Sequence, residues 1–157
     1  MKKFLALFIA ILVLVSFSSC YFEVPYVDYD PEQNGIIEDD VSIDEDGIYT
    51  SKEDVALYIH TFGKLPSNFI TKNEAKKLGW EGGSLEKFAP GKCIGGSFYG
   101  NYEGILPEDH TYHECDVDTL GAKSRGEKRL VYSSDGLIYY TEDHYQSFEL
   151  LYGEEIL

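Results

Sequence analysis

The sequence predicts an α+β domain in which N-terminal helices pack on a C-terminal antiparallel β-sheet. Two observations lead to this fold class. Residues 51–79 carry two helix-capping signals, each followed by a glycine that can end the helix. After the Pro90-Gly91 break, five short runs are rich in β-branched and aromatic residues, and the dipeptide Asp135-Gly136 between two of them is a strong hairpin signal.

The first predicted helix begins after Ser51, which forms a capping box with Asp54, and ends at Gly63. One face of this helix is apolar, which indicates that it packs on another element. The residues of that face are Val55, Tyr58, Ile59 and Phe62.

The second predicted helix begins after Thr71, which forms a capping box with Glu74, and it ends at Gly79. Lys72 therefore lies in the first turn, where free backbone N–H groups and the helix dipole favour an anion. Most lysines at such positions are merely solvated, so the position alone is a weak functional signal. A short third helix is predicted over residues 84–88.

Five strands are predicted after this point, because five runs rich in β-branched and aromatic residues are separated by segments with turn residues. They cover residues 93–99, 112–118, 129–133, 137–141 and 145–151. The hairpin signal at Asp135-Gly136 and the succession of strands after the helices predict an antiparallel meander.

Residues 1–20 have the layout of an export signal: two lysines, an apolar run, then small polar residues that end at Cys20. The apolar run is short for a membrane span. The letters FSSC resemble a bacterial lipobox, in which the cysteine is lipidated, although Phe17 stands where leucine is usual. Lipidation at Cys20 is the first expectation, with ordinary secretion and an uncleaved anchor as alternatives.

Residues 21–47 are expected to form an acidic, disordered linker, because they hold ten acidic residues and no lysine or arginine. The alternative is a calcium site built from Asp39, Asp40, Asp44 and Asp46, but their spacing lacks the EF-hand register. The folded domain is accordingly placed at residues 48–157.

The charge of the chain argues against a nucleic-acid binder when it is taken alone. The formal net charge is -15, and residues 48–157 still hold 18 acidic against 11 basic residues. Proteins that contact phosphates usually carry a basic surface. If RNA is the substrate, the positive charge must be concentrated in a local site, and long-range steering of RNA must be weak.

Two cysteines of the domain, Cys93 and Cys115, fall on neighbouring predicted strands. In an exported protein such a pair is more often a disulfide than a metal site, so a bridge between them is expected. His110 and His113 have no third ligand nearby, so no metal site is predicted.

Four blocks of the chain resemble the barnase family of bacterial extracellular guanyl-preferring ribonucleases, within the microbial ribonuclease superfamily. They read KLPSNFITKNEAKKLGW, APGKCIGGSFYGNYEGILP, YHE and YSSDGLIYYTEDHYQSF, in the same order and with near-constant spacing. The resemblance covers residues 48–151. It implies the same α+β fold and a metal-independent endoribonuclease that cleaves single-stranded RNA, preferably after guanosine.

The resemblance also implies a catalytic set. Glu114 matches the general base, His144 the general acid, and Lys72 a phosphate-binding lysine, while Arg125 and Arg129 match the two arginines that bind the scissile phosphate. The base takes the proton of the 2'-hydroxyl and the acid protonates the departing 5'-oxygen, which gives a 2',3'-cyclic phosphate that is then hydrolysed. From position alone, a lone glutamate or histidine is more often structural.

The segment SFYGNYEG matches the guanine-binding loop of the family. The substrate-binding residues that the resemblance implies are Tyr99, Asn101, Tyr102, Glu103 and Tyr145. Glu103 matches the main guanine contact. Tyr102 stands where arginine is usual and Ile105 where lysine is common, so weaker affinity for the guanine nucleotide is expected, although a tyrosine can still cover a base by stacking.

Two other functions fit parts of the pattern. A non-catalytic lipoprotein binding module on the same fold is favoured by the acidic balance and by Tyr102 and Ile105. A glycosidase that uses Glu103 and Glu114 has little support, because nothing else indicates sugar chemistry. The resemblance implies single-stranded RNA and a small barstar-like intracellular inhibitor as partners of a monomer, and no cofactor.

Overall fold

The computed structural model describes residues 42–154. Two helices, α1 (Lys52–Phe62) and α2 (Lys72–Lys77), precede most of a single sheet. Its strands are β1 (Phe69–Ile70), β2 (Cys93–Tyr99), β3 (Tyr112–Asp116), β4 (Arg129–Ser133), β5 (Ile138–Thr141) and β6 (Glu149–Tyr152). They lie side by side in chain order, with β1 parallel to β2 and the other neighbours antiparallel. The predicted α+β fold class is confirmed.

Helix α1 covers one face of the sheet. The Asp54 N–H donates to Ser51 Oγ over 3.1 Å at its start, and Gly63, with φ +66°, ends it by donating to the Ile59 carbonyl over 2.8 Å. The main core lies between this helix and the sheet. Its buried members are Val55, Ala56, Ile59, Cys115, Val117, Leu130, Ile138 and Tyr140.

Helix α2 is only six residues long, and its start is fixed by a full capping box. The Glu74 N–H donates to Thr71 Oγ1 over 3.2 Å, and the Thr71 N–H donates to Glu74 Oε2 over 2.8 Å. On the buried side of α2, Ala75 is fully buried and belongs to a second hydrophobic cluster with Trp80 and Ile94. This packing anchors the helix beside β2.

The third helix predicted over residues 84–88 is wrong, because the segment forms a turn. The Ala89 N–H donates to the Leu85 carbonyl over 2.9 Å, which closes a single turn. Pro90 disfavours helical backbone at the preceding residue, so the turn is not propagated. The Ser84 hydroxyl donates across to the Ala122 carbonyl over 2.7 Å, which ties this turn to a distant loop.

The strands differ from the prediction by more than one residue at three places, besides one-residue shifts at the start of β5 and the end of β6. Strand β1 was not predicted, because two residues carry too little pattern. Strand β3 ends at Asp116, because Asp118 turns into the left-handed region with φ +57°. The last strand begins at Glu149 rather than at residue 145, because residues 141–147 form a turn described below.

The predicted disulfide is also wrong: Cys93 and Cys115 are both free and buried. Cys115 stands opposite Gly95, two residues from Cys93. Residues in this relation are diagonal neighbours with Cα atoms roughly 7–8 Å apart. A disulfide needs a closer approach, usually below about 7 Å, so the register of β2 and β3 keeps the two thiols apart.

The ordered chain reaches back past the boundary predicted at residue 48. The Gly47 N–H donates to the Asp44 carbonyl over 3.1 Å, and this turn is held on α1 by the Tyr58 hydroxyl, which donates to the Glu45 carbonyl over 2.9 Å. Lys64 Nζ lies 2.5 Å from Glu45 Oε1. Residues 44–47 therefore belong to the domain.

Several predictions fall on residues that lie outside 42–154. They are the export signal, the lipidation site at Cys20, most of the linker, and Asp39 and Asp40 of the alternative calcium site. Within the described range, no three His, Cys, Asp or Glu side chains are grouped as metal ligands. The same range holds no helix with the length and apolar character of a membrane span.

The face of the sheet opposite α1 carries both a core cluster and a polar end. Leu106, Tyr112, Val131, Leu137 and Tyr139 are buried together in the cluster. Side chains alternate along a strand, so the side chains of Glu114 and Asp116 follow that of Tyr112 on the same face. Glu114 pairs with Val131 and Asp116 with Arg129 across β3 and β4, which gathers charged groups at this end of the sheet.

Candidate active site

One cleft of about 780 Å³ opens on this polar end. Nine of the ten predicted catalytic and substrate-binding residues line it: Lys72, Tyr99, Asn101, Tyr102, Glu103, Glu114, Arg125, His144 and Tyr145. Arg129 is the exception. The structure thus brings together in space residues that span more than seventy positions of the chain.

Glu114 lies at the floor of the cleft with only 6% of its surface exposed. Lys72 Nζ forms an ion pair with Glu114 Oε1, and the Tyr145 hydroxyl donates to Glu114 Oε2. Burial, together with the hydrogen bond to this carboxylate, raises the pKa of Tyr145, so the phenol stays protonated and keeps donating. A buried carboxylate needs such partners, and both of its oxygens are engaged.

Lys72 is aimed at Glu114 by the way α2 begins. The capping box at Thr71 fixes the first helical turn. The Lys72 N–H also contacts Ser97 Oγ on β2 over 3.4 Å, and Ser97 stands opposite Glu114 in the sheet. The side chain of Lys72 is 37% exposed, so its ammonium faces both the carboxylate and the cleft.

Arg125 reaches the cleft while it is held by a buried carboxylate. Its Nε and Nη2 each lie 2.6 Å from an oxygen of Asp116, a bidentate pair. The guanidinium also lies over the ring of Trp80, 5.7 Å from the ring centre. A planar cation fixed from two sides presents its remaining donors in one direction.

Arg129 is buried beneath the neighbouring loop, with a side-chain exposure of 2%. Its Nη1 donates to the Lys128 carbonyl over 2.7 Å and its Nη2 to the Gly126 carbonyl over 3.0 Å. Its Nε lies 2.9 Å from Asp116 Oδ1, but the N–H is not aimed at that oxygen, so the contact is ionic without a hydrogen bond. Arg129 nevertheless contacts two other site residues: its Nη1 donates to the Arg125 carbonyl over 3.3 Å, and its charge and hydrogen bonding partly offset the rise in the pKa of Tyr145.

His144 is exposed and lies at a turn between β5 and β6. Both His144 and Tyr145 have positive φ, +56° and +74°, a conformation that non-glycine residues adopt at a cost. The two rings contact each other with centres 4.8 Å apart. The surrounding turn must therefore hold the backbone of the pair in place.

The loop after β2 is closed by the side chain of Asn101. Its Nδ2 donates to the Leu106 carbonyl over 2.7 Å and its Oδ1 accepts from the Leu106 N–H over 3.1 Å. Asn101 has φ +45°, a left-handed conformation in which asparagine is enriched. The carboxylate of Glu103 stays exposed at the edge of the cleft.

Aromatic rings border the loop on both sides. Tyr99 lies 5.2 Å from the ring of Tyr145, and its pKa is raised by burial and by the charges of Glu103 and Glu114. Tyr102 is 90% exposed, and its ring lies against Gly100, where an added Cβ would come within 2.3 Å of the ring. Glycine at position 100 is what lets this ring lie flat on the loop.

Three residues of the site were not predicted from the sequence: Asp116, Asp143 and Ser97. Asp116 is 1% exposed and contacts both arginines. Its spacing of two from Glu114 on a predicted strand was a usable signal, since it places both carboxylates on one face. Ser97 contacts the backbone of Lys72 at the start of α2, and Asp143 contacts residues 141, 146 and 147 of its own turn; the sequence analysis singled out neither residue.

A family model described as ribonuclease matches residues 52–152. A ribonuclease of Bacillus intermedius is 36% identical over 94% of this chain and 98% of its own length. A ribonuclease of Heyndrickxia coagulans is 47% identical over 60% of this chain and 89% of its own length. Guanyl-specific ribonuclease St of Saccharopolyspora erythraea is 46% identical over 35% of this chain and 56% of its own length.

Proposed function

The chain belongs to the ribonuclease family, and on that basis we propose that it is a metal-independent endoribonuclease that cleaves single-stranded RNA after guanosine. One observation carries the proposal: a buried carboxylate, two cations and an exposed histidine share a single cleft. Such a set supplies a base, an acid and fixed positive charge for phosphoryl transfer. Relatives named guanyl-specific support the base preference.

In the first step Glu114 takes the proton of the 2'-hydroxyl, whose oxygen attacks the adjacent phosphorus. The bond to the 5'-oxygen breaks as His144 donates its proton to that oxygen, and a 2',3'-cyclic phosphate forms. In the second step His144 takes a proton from a water whose oxygen attacks phosphorus, the bond from phosphorus to the 2'-oxygen breaks, and Glu114 returns its proton to that oxygen. Lys72 and Arg125 face the phosphate and offset the charge on its oxygens.

Lys72 and Tyr145 each engage one oxygen of Glu114, and each carboxylate oxygen can accept a second hydrogen bond, so the 2'-hydroxyl can donate to Glu114 while both partners stay in place. Lys72 stabilises the carboxylate. The contact of Arg129 with the phosphate stays a prediction, because its guanidinium is buried with its Nη atoms on the carbonyls of Arg125, Gly126 and Lys128.

Guanine is placed on the loop of residues 99–103. The exposed carboxylate of Glu103 accepts from the guanine N1–H and amino group, while the rings of Tyr99, Tyr102 and Tyr145 offer apolar faces to the base. Adenine lacks the donor pair that Glu103 accepts. Without a cation at position 102, affinity for the guanine nucleotide is expected to be modest.

The catalytic roles are tested by cleavage of the dinucleotide GpU in EDTA. We expect a cyclic-phosphate product from the unchanged protein, and losses of about 10² to 10⁴ in kcat for Glu114→Ala and for His144→Ala. His113→Ala is the matched control, because His113 lies on β3 next to Glu114 but faces the other side of the sheet, where it contacts Tyr132. No cleavage by the folded protein between pH 5 and 8 would refute the proposal.

The base preference is tested with GpU and ApU as competing substrates. Glu103→Ala should lower kcat/KM for GpU by about tenfold or more, with little change for ApU, because only guanine offers the donors that Glu103 accepts. Glu108→Ala, on the same loop region, serves as the control. Equal rates for the two substrates with the unchanged protein would remove Glu103 from this role.

We further propose that residues 1–20 export the protein, that Cys20 is lipidated, and that the acidic segment from residue 21 up to the start of the domain at residue 44 tethers it outside the cell. The layout of the sequence supports this. In a bacterial host the protein should fractionate with membranes, and Cys20→Ser should release it to the medium. Retention of the Cys20→Ser protein in the membrane fraction would indicate an uncleaved anchor.

A small intracellular inhibitor of a monomeric enzyme is also a proposal, supported by the resemblance. An acidic inhibitor would have to bind at the cleft cations, because the domain itself is acidic. A barstar-like inhibitor should therefore block cleavage of GpU, and Arg125→Ala should weaken the block. Inhibition that is indifferent to Arg125 would contradict this mode of binding.

A further inference from the structure

The turn that carries His144 is built around the carboxylate of Asp143. Asp143 Oδ1 accepts from the N–H groups of Gln146 and Ser147 over 3.0 and 2.9 Å, and from the Thr141 hydroxyl over 2.9 Å. Asp143 Oδ2 accepts from the Ser147 hydroxyl over 2.7 Å. One side chain thus closes the turn from both ends.

Thr141 extends this network to the residue after the histidine. Its hydroxyl oxygen accepts from the Tyr145 N–H over 2.9 Å while its proton goes to Asp143. The carbonyl of Asp143 also accepts from Gln146 Nε2 over 3.0 Å. His144 therefore lies between two points of the backbone that are fixed by Asp143, directly or through Thr141.

The His144 ring has no other support of this kind. Among the residues that the structure describes, no side chain makes a hydrogen bond with it, and its one ring contact is with Tyr145. His144 and Tyr145 both hold the left-handed backbone conformation, which persists only where surrounding contacts enforce it. The direction of the ring is consequently set by the turn.

We propose that Asp143 is a positioning residue for the general acid, which it serves through the turn and without touching the substrate. The inference rests on the proposed role of His144. A proton must pass from the imidazole to the 5'-oxygen as the bond between phosphorus and that oxygen breaks. A displacement of about 1 Å in a catalytic group can lower a rate about a hundredfold, so the turn bears directly on this step.

Asp143 stays ionised, so its carboxylate keeps accepting the hydrogen bonds that hold the turn. Its hydrogen bonds to Ser147, and then those to Thr141 and Gln146, lower the pKa of Asp143 to about 2. The carboxylate is ionised at every pH at which an RNA-cleaving enzyme of this kind would work. The turn is therefore a fixed part of the site, and no protonation of Asp143 switches it near neutral pH.

The test uses the full protein, the variant Asp143→Asn and two substrates. In GpU the leaving group is a 5'-alkoxide that needs a proton, whereas in guanosine 3'-(4-nitrophenyl phosphate) it is a phenolate that leaves without one. We expect Asp143→Asn to lower kcat for GpU about ten- to a hundredfold with little change in KM, and to lower kcat for the nitrophenyl ester less than about threefold.

Four further variants make the result decisive. Ser147→Ala, which removes only the contact to Oδ2, should give the same pattern with a smaller loss. Asp135→Asn, a matched removal of an exposed carboxylate at the far end of β5, should leave both substrates unchanged. His144→Ala should show the same leaving-group dependence as Asp143→Asn, and Glu114→Ala should lose equally on both substrates.

Equal losses on both substrates for Asp143→Asn would overturn the proposal, because a general loss of folded enzyme does not depend on the leaving group. An unchanged kcat for GpU would overturn it as well. If Asp143→Asn fails to fold, Ser147→Ala decides by the same comparison. If His144→Ala itself shows no leaving-group dependence, the general-acid role fails, and that failure is visible independently of Asp143.

Discussion

At the residue scale, Arg125 and Arg129 share the carboxylate of Asp116 but differ in what else they contact. Arg125 reaches the cleft, whereas Arg129 is buried with its donors on backbone carbonyls. Removal of one partner of a buried ion pair commonly costs about 3 kcal/mol or more. We expect Arg129→Ala to lower the free energy of unfolding by about 3 kcal/mol in urea titrations, near the low end because Arg125 still pairs with Asp116.

A comparison of Arg129→Ala with Arg125→Ala distinguishes a structural role of each arginine from a catalytic role. Arg125 is partly exposed, so its removal should cost less stability and should lower kcat for GpU directly. If Arg129→Ala keeps its stability within about 1 kcal/mol yet loses as much activity as Arg125→Ala, then Arg129 meets the phosphate and the buried position is not the working one.

At the scale of elements, α2 is a short helix whose first turn supplies a site residue. Six residues make a marginal helix, so its cap matters more than its length. Thr71→Ala should lower the free energy of unfolding by about 1 kcal/mol and should also lower kcat, because Lys72 follows the cap directly. Urea unfolding and GpU kinetics on the same preparations measure both effects.

Helix α1 provides the control for that experiment. Ser51→Ala removes an equivalent cap and should cost a similar stability, but α1 contributes no residue to the cleft. Its kcat for GpU should therefore stay within about twofold of the unchanged protein. A matching loss of kcat in both variants would mean that activity follows stability alone and that the position of Lys72 is not specific to its cap.

Elements were predicted best where their signals are local. The caps at Ser51 and Thr71 and the β2 and β4 segments need only neighbouring residues to be recognised. The turn of residues 141–147 also rests on local contacts of Asp143 with Thr141 and Ser147, but the aromatic residues that follow His144 were assigned to a strand that begins at residue 145. The disulfide failed for a different reason, since strand register is a long-range property that cysteine spacing does not contain.

The site residues were likewise predicted where a local motif marks them and missed where distant packing decides. Glu114 and His144 were found through matching motifs, and the cleft brings them together. The burial of Arg129 was not found, because it is decided by the loop carbonyls of Gly126 and Lys128 rather than by the arginine itself. Residue identity thus indicated the chemistry, while accessibility emerged only with the three-dimensional packing.

At the scale of the whole molecule, an acidic domain acts on a polyanion. Two accessible cations, Lys72 and Arg125, face the cleft. Each phosphate contact to single-stranded RNA contributes about -0.7 to the slope of log affinity against log salt. We therefore expect log kcat/KM on a long RNA to fall with log salt at a slope no steeper than about -1.4.

A variant with one added charge checks that estimate. Tyr102→Arg places a cation at the exposed edge of the guanine loop and should steepen the slope by about 0.7. Tyr102→Phe should leave the slope unchanged. A slope far steeper than that for two contacts in the unchanged protein would show that further lysines bind RNA despite the acidic balance.

The two free cysteines give the domain a reporter of its own opening. Burial, followed by the charge of Asp116, raises the pKa of Cys115 well above its usual value, so the closed protein offers a thiol reagent almost no thiolate there. In a chain carrying Cys20→Ser, the reagent would label Cys93 and Cys115 only when the packing that buries these two thiols opens. The labelling rate in plain buffer would then measure how often the core becomes accessible, without denaturant.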